Sequence, residues 1–146
     1  MPKKKYNTPH SLLMAINDRL QTISKNEKIA ISRLRMHLAF DRLLIRLFHI
    51  KRCPWVLKGG YAMELRIKKA RATKDIDLAM FEHLISSKDS KERSSAIHEL
   101  LISVASININ DFFMFEISQA SKQLIGPPEG GSAFSSQFSF RWENFC

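Results

Sequence analysis

The chain has 146 residues, a length that suits one domain, and an apolar fraction of 45% supports a genuine core. A net charge of +9 and a pI of about 9.8 favour an anionic partner such as nucleic acid, nucleotide or acidic protein. They do not choose among these, and a solvated basic surface would give the same values. Two cysteines, Cys53 and Cys146, are too few for a disulfide framework. The start Met1-Pro2-Lys3-Lys4-Lys5 lacks a signal peptide's apolar run, and no stretch approaches the roughly 20 apolar residues of a membrane span. The expected setting is cytoplasmic, without a membrane.

Residues 1–7 read as a disordered basic tail. Thr8-Pro9 is a helix start, with Thr8 as cap and Pro9 in the first turn. Leu12, Leu13, Ile16, Leu20 and Ile23 then recur at helical spacing. Residues 24–26 are expected to break the chain before a second helix over 27–50. That helix carries Ile31, Leu34, Leu38, Leu44, Ile45 and Phe48, interleaved with Arg33, Arg35, Arg42 and Arg46. Cys53-Pro54 ends the helical region, because proline disfavours the α conformation of its predecessor. Trp55-Val56-Leu57 is a short buried strand broken by Gly59-Gly60, and residues 61–69 form a short helix.

Residues 75–80 read as a second strand and 86–90 as a polar link. A helix follows over 89–107, with Ile97, Leu100, Leu101 and Val104 inward. Phe112 to Ile117 is an aromatic third strand. The run Glu129-Gly130-Gly131-Ser132 is loop-like, and Phe138 and Phe140 alternate on a further strand. There is no internal repeat. The expected class is α/β or α+β: a small mixed sheet flanked by helices and preceded by two N-terminal helices, in a single domain over 1–146.

Chemistry concentrates between Leu57 and Met80. Gly59-Gly60 permits positive φ and close backbone approach, and a helix starting there offers free N–H groups to an anion. Diglycine turns are common structural features, so this signal is weak alone. Lys58 would either meet phosphate or be solvated. Asp75 and Asp77 at i and i+2 on a strand would share one face, about 6.6 Å apart along it. Asp is disfavoured in strands, so two of them need a reason. Two carboxylates suit Mg²⁺, which combines one or two of them with substrate phosphate oxygens. Arg71, Thr73 and Lys74 would contact phosphate, cap a turn or balance the Asp charges. Glu64 and Arg66 read as surface residues. The five histidines show no ligand spacing, and no serine-nucleophile motif or Walker loop occurs.

Leu57-Lys58-Gly59-Gly60, a spacer, then Arg71-x-Thr73-x-Asp75-Ile76-Asp77-Leu78 resembles the AbiEii/AbiGii-like nucleotidyltransferase toxin family, within the polymerase-β-type superfamily. The joint motif is far more specific than either half. The similarity is expected to run from the first helices through Gly126-Pro127-Pro128 and Gly130-Gly131. It implies that Asp75 and Asp77 are catalytic and bind Mg²⁺ (or Mn²⁺) with a nucleoside triphosphate. Gly59 and Gly60 would hold the triphosphate, helped by Lys58, Arg71 and Thr73. An acceptor, often RNA such as a tRNA end, would attack the α-phosphate. The family's members are toxins of two-gene toxin–antitoxin or phage-defence (abortive-infection) pairs, which implies a cognate antitoxin.

Family members carry a third carboxylate on a later strand. Residues 141–145 resemble the run leading into that strand, and neither Glu116 nor Glu143 matches the family position. The expectation is therefore a chain incomplete at its C-terminus, from a truncated or frameshifted gene, with an incomplete metal site and weakened or absent activity. Two alternatives stand beside transfer: a non-catalytic remnant that binds nucleic acid or protein, and a metal-dependent phosphohydrolase sharing the carboxylate pair.

Overall fold

A computed structural model describes residues 6–67, 73–80, 89–119, 122–124, 131–133 and 136–140. The expected tail over 1–7 therefore lies largely outside the described residues, as do Arg71, the Ser86–Lys88 part of the polar link and Glu143. The class is mixed α/β, with helices α1 (Pro9–Glu27), α2 (Ile31–Leu47), α3 (Gly59–Arg66) and α4 (Ser90–Ala105). The strands are β1 (Trp55–Lys58), β2 (Asp77–Met80), β3 (Phe113–Ile117), β4 (Lys122–Leu124), β5 (Gly131–Ala133) and β6 (Ser136–Phe140).

Thr8 caps α1 by accepting from Ser11 N at 3.1 Å, with Pro9 in the first turn. The break expected at residues 24–26 falls later. Lys28 adopts φ 54° as a left-handed cap, and Ser24 Oγ donates to Ile29 O at 2.7 Å. The serine hydroxyl thus stabilises the returning chain and leaves the helix above it intact. Helix α2 starts at Ile31 and stops at Leu47, ahead of Cys53-Pro54.

The strands form three antiparallel pairs, β1–β2, β3–β6 and β4–β5. In β1–β2 the register is Trp55↔Met80 through Lys58↔Asp77. In β3–β6, Phe113 faces Phe140 and Phe115 faces Phe138. Gly131 and Ser132 lie in β5 opposite Leu124 and Gln123, in place of the expected loop. β-pairing overrides the local glycine signal there.

The core joins α2, β1 and α4. Leu43, Leu47, Trp55, Val104 and Ala105 are buried, and Leu78, Met80, Leu100, Leu101, Phe115 and Ile117 pack around them. Both the β1–β2 and β3–β6 pairs rest on this one core. Trp55 Nε1 donates to Leu47 O at 2.9 Å, which fixes the strand leading to the glycines onto the end of α2. Arg46, 1% exposed, donates to both Asp111 oxygens (2.6 and 3.1 Å) and to Phe113 O (2.8 Å). It also lies 5.1 Å from the Phe115 ring centroid. This bidentate pair locks α2 to the entry of β3. No described helix is long and apolar enough to cross a membrane.

Candidate active site

Strand β1 passes into α3 without a spacer, so Gly59 is both the end of the turn and the first helical residue. Its φ is +69°, a left-handed value that non-glycine residues rarely adopt. Space imposes the same requirement. A Cβ on Gly59 would lie 2.0 Å from Asp77 Oδ2 and 2.8 Å from Asp77 Cγ. The Asp77 carboxylate therefore covers the Gly59 α-carbon. The register explains this contact: Asp77 opposes Lys58, and the next residue after Lys58 is Gly59. Lys58, Gly59, Gly60 and Asp77 are all solvent-exposed. The N-cap residue Lys58 makes no side-chain cap hydrogen bond, so no side chain from that position closes the electropositive start of α3.

Gly60 faces the segment before β2. A Cβ there would meet Thr73 Cβ and Oγ1, each at 3.1 Å. Thr73 Oγ1 in turn lies 3.4 Å from both the N and the O of Asp75. Asp75 is exposed but is not in the strand, which begins at Asp77. The expected shared strand face for the two carboxylates is thus replaced by a turn leading into a strand. Lys58↔Asp77 is the last pair because the chain beyond Lys58 becomes α3, leaving Asp75 nothing to pair with. The Thr73 hydroxyl engages the local backbone instead, a common competitor of ladder formation. Lys74 is exposed. The structure brings Gly59 to Asp77 and Gly60 to Thr73, with Lys58 opposite Asp77.

Sequence reasoning missed Glu64. It read as a surface residue, yet its side chain is only 8% exposed. It forms an ion pair and hydrogen bond with Arg33 Nη2, has His37 Nε2 3.1 Å from Oε1, and accepts from Thr73 N at 3.1 Å through Oε2. Burial pushes its carboxyl up. The Arg33 hydrogen bond, the Thr73 amide and the neighbouring His37 and Arg33 charges outweigh this and hold it below its ordinary value. The available signal was spacing: Gly60 and Glu64 are four apart on α3 and share a face. Beside them Tyr61 is buried, edge-on to Phe40 at 4.9 Å and His37 at 5.8 Å. Burial, followed by the Asp41 and Glu64 charges, pushes its hydroxyl pKa up.

The donor set suits a hard cation. Asp75 and Asp77 are both exposed carboxylates, the donor type that hard divalent cations take together with phosphate and water oxygens. Among the described residues no group of three or more His, Cys, Asp or Glu is placed to hold an ion. Glu116 is exposed on β3 opposite Gln137, in a different strand pair from Asp77.

A glycine-opened helix whose start lies against the Asp77 carboxylate, the first residue of the neighbouring antiparallel strand, fits a nucleotidyltransferase-type domain. The model of the family described as nucleotidyl transferase AbiEii toxin, Type IV TA system, matches residues 42–142, more than half of the chain, and the chain belongs to this family. The match opens inside α2, so α1 lies outside it, although similarity was expected from the first helices. A comparison with curated proteins gave no match. Membership identifies a nucleotidyltransferase-type toxin and implies a nucleoside triphosphate substrate, a divalent metal and a cognate antitoxin.

Proposed function

We propose that this chain transfers a nucleotide from a nucleoside triphosphate to an RNA acceptor such as a tRNA end, in a Mg²⁺-dependent reaction, as the toxin of a phage-defence pair. The carrying observation is the contact of the Asp77 carboxylate with the Gly59 α-carbon, which puts the carboxylate and the helix start in one place. Asp75 and Asp77 would hold the metal through their carboxylate oxygens. Gly59 and Gly60 admit the triphosphate against the α3 N–H groups, where a side chain would obstruct it. Lys58 and Arg71 offset phosphate charge, and Thr73 lines the approach. When bound, Mg²⁺ supplies charge neutralisation on the triphosphate and the leaving pyrophosphate. The acceptor hydroxyl oxygen bonds to the α-phosphorus and releases its proton to solvent, the bond from that phosphorus to the β-phosphate oxygen breaks, and pyrophosphate leaves with that bonding electron pair.

The test is incubation with RNA and triphosphates labelled at the α or the γ position. Transfer places α-label on RNA and γ-label in pyrophosphate. Release of γ-label as inorganic phosphate would favour a phosphohydrolase. A second reading, binding without transfer, draws on one observation: among the described residues no group of three or more His, Cys, Asp or Glu is placed to hold an ion. Salt-dependent RNA affinity without label transfer would favour it.

A further inference from the structure

Asp75 has no strand partner, and Asp77 is only the first residue of β2. Whatever fixes the approach to β2 therefore fixes where these carboxylates stand. Gly60 lets Thr73 sit close over the start of α3. One turn further along the same helix face, Glu64 accepts from the Thr73 amide at 3.1 Å. The other Glu64 oxygen engages Arg33 and His37 on α2. A buried carboxylate thus joins the helical scaffold to a single backbone N–H beside the carboxylates, two residues before Asp75.

We propose that Glu64 is a positioning residue for the nucleotide site: by holding the Thr73 N–H it sets the 73–77 segment over Gly59 and Gly60. This rests on the nucleotide-binding reading of Asp75 and Asp77. Glu64 acts through Thr73 and touches neither substrate nor metal. Its charge also selects the residue type. Arg33 donates only, so the oxygen facing it must accept, and the Thr73 amide needs a second acceptor. A carboxylate serves both at once. A glutamine offers one oxygen, and with that oxygen taken by Arg33 its NH₂ would oppose the Thr73 N–H.

The experiment is calorimetric titration of the full chain with nucleoside triphosphate and Mg²⁺. The variants are Glu64→Ala, Glu64→Gln, Arg33→Met and Glu64→Gln/Arg33→Met, each with a thermal melt. We expect Glu64→Ala and Glu64→Gln each to weaken Mg²⁺-dependent binding about tenfold, the loss typical of one hydrogen bond to a charged group. We expect Arg33→Met to lower the melting temperature while binding within about threefold of wild type, since Glu64 keeps its hold on Thr73. The double variant is the sharp case. With Arg33 gone, the introduced glutamine can turn its oxygen to accept from Thr73 and its NH₂ to donate to His37 Nε2, which accepts in the Nδ1–H tautomer, so binding should recover towards wild type despite a further lost contact. A purely structural role gives no such recovery. If Glu64→Ala does not fold, Glu64→Gln and its double variant carry the test. Wild-type affinity in Glu64→Gln, or no recovery in the double variant, overturns the positioning role alone. No Mg²⁺-dependent binding by wild type overturns both it and the nucleotide-site reading.

Discussion

Gly59→Ala separates the geometry of the site from the stability of the fold. Two penalties apply at this position. The first is conformational: at φ +69° an alanine costs about 1–2 kcal/mol relative to glycine. For a chain of this size that is a fall of about 2–8 °C in melting temperature. The second is steric. The new Cβ would sit 2.0 Å from Asp77 Oδ2, so the carboxylate must move by more than about 1 Å to reach ordinary contact. Asp77 is exposed and can swing into water, so this movement adds little to the stability cost. Its effect falls on ligand geometry, through the displaced Asp77 carboxylate. We expect Gly59→Ala to remain folded while Mg²⁺-dependent triphosphate binding weakens at least about tenfold, the loss of one contact to a charged group. Gly60→Ala is the internal comparison. Its φ is not left-handed and the nearest atoms to its Cβ would be those of Thr73, at 3.1 Å, so its loss should be several times smaller. Calorimetry beside thermal melts reads both. Wild-type affinity in Gly59→Ala, or equal losses in the two variants, would refute the role assigned to the Asp77–Gly59 contact.

Other outcomes follow from the same contacts. Arg46→Met strands Asp111 without its bidentate partner and should cost about 3–5 kcal/mol, visible as a large fall in melting temperature. Asp41→Asn breaks only the partly exposed pair with Arg42 and should change stability by less than about 1 kcal/mol. Because the Glu64 carboxyl is held below its ordinary value, the unfolded chain binds more protons between the folded pKa and about 4.3. Its contribution is fully present above that unfolded value and is lost as pH falls through the folded one. Urea melts across this window should show a shallower loss of stability for Glu64→Gln than for wild type. Thr8→Ala removes the α1 cap and should cost about 1 kcal/mol, with hydrogen exchange rising mainly in the first turns of that helix.

The parts of the fold readable from sequence were those set by neighbours along the chain. Thr8-Pro9 marked the start of α1, and apolar spacing marked α4, whose Leu100, Leu101 and Val104 do turn inward. The diglycine lay where β1 gives way to α3, and the Lys58↔Asp77 register then placed Asp77 beside it. Long-range partners were not readable. Glu64 and Arg33 are 31 residues apart, and Arg46 and Asp111 are 65 apart, so a basic helix that looked solvated holds one buried ion pair and a second in which only the glutamate is buried. Boundaries failed where a side chain redirected the backbone. Ser24 bonded across the turn and delayed the end of α1, and Thr73 engaged the backbone at Asp75, which lies outside β2. The short β4 and β5 carry no alternation of their own, and pairing alone defines them.

The central claim is that Asp75, Asp77 and the glycine turn form a metal-dependent nucleotide site. Its most direct test is calorimetric titration of the purified chain with each nucleoside triphosphate, with and without Mg²⁺, beside an Asp75→Ala/Asp77→Ala double variant. Both side chains are exposed, so that variant should melt within a few degrees of wild type. We expect wild type to bind at least one triphosphate only when Mg²⁺ is present, and the double variant to lose that binding. A folded wild type that binds none of them, or a double variant that binds as wild type does, would contradict the claim.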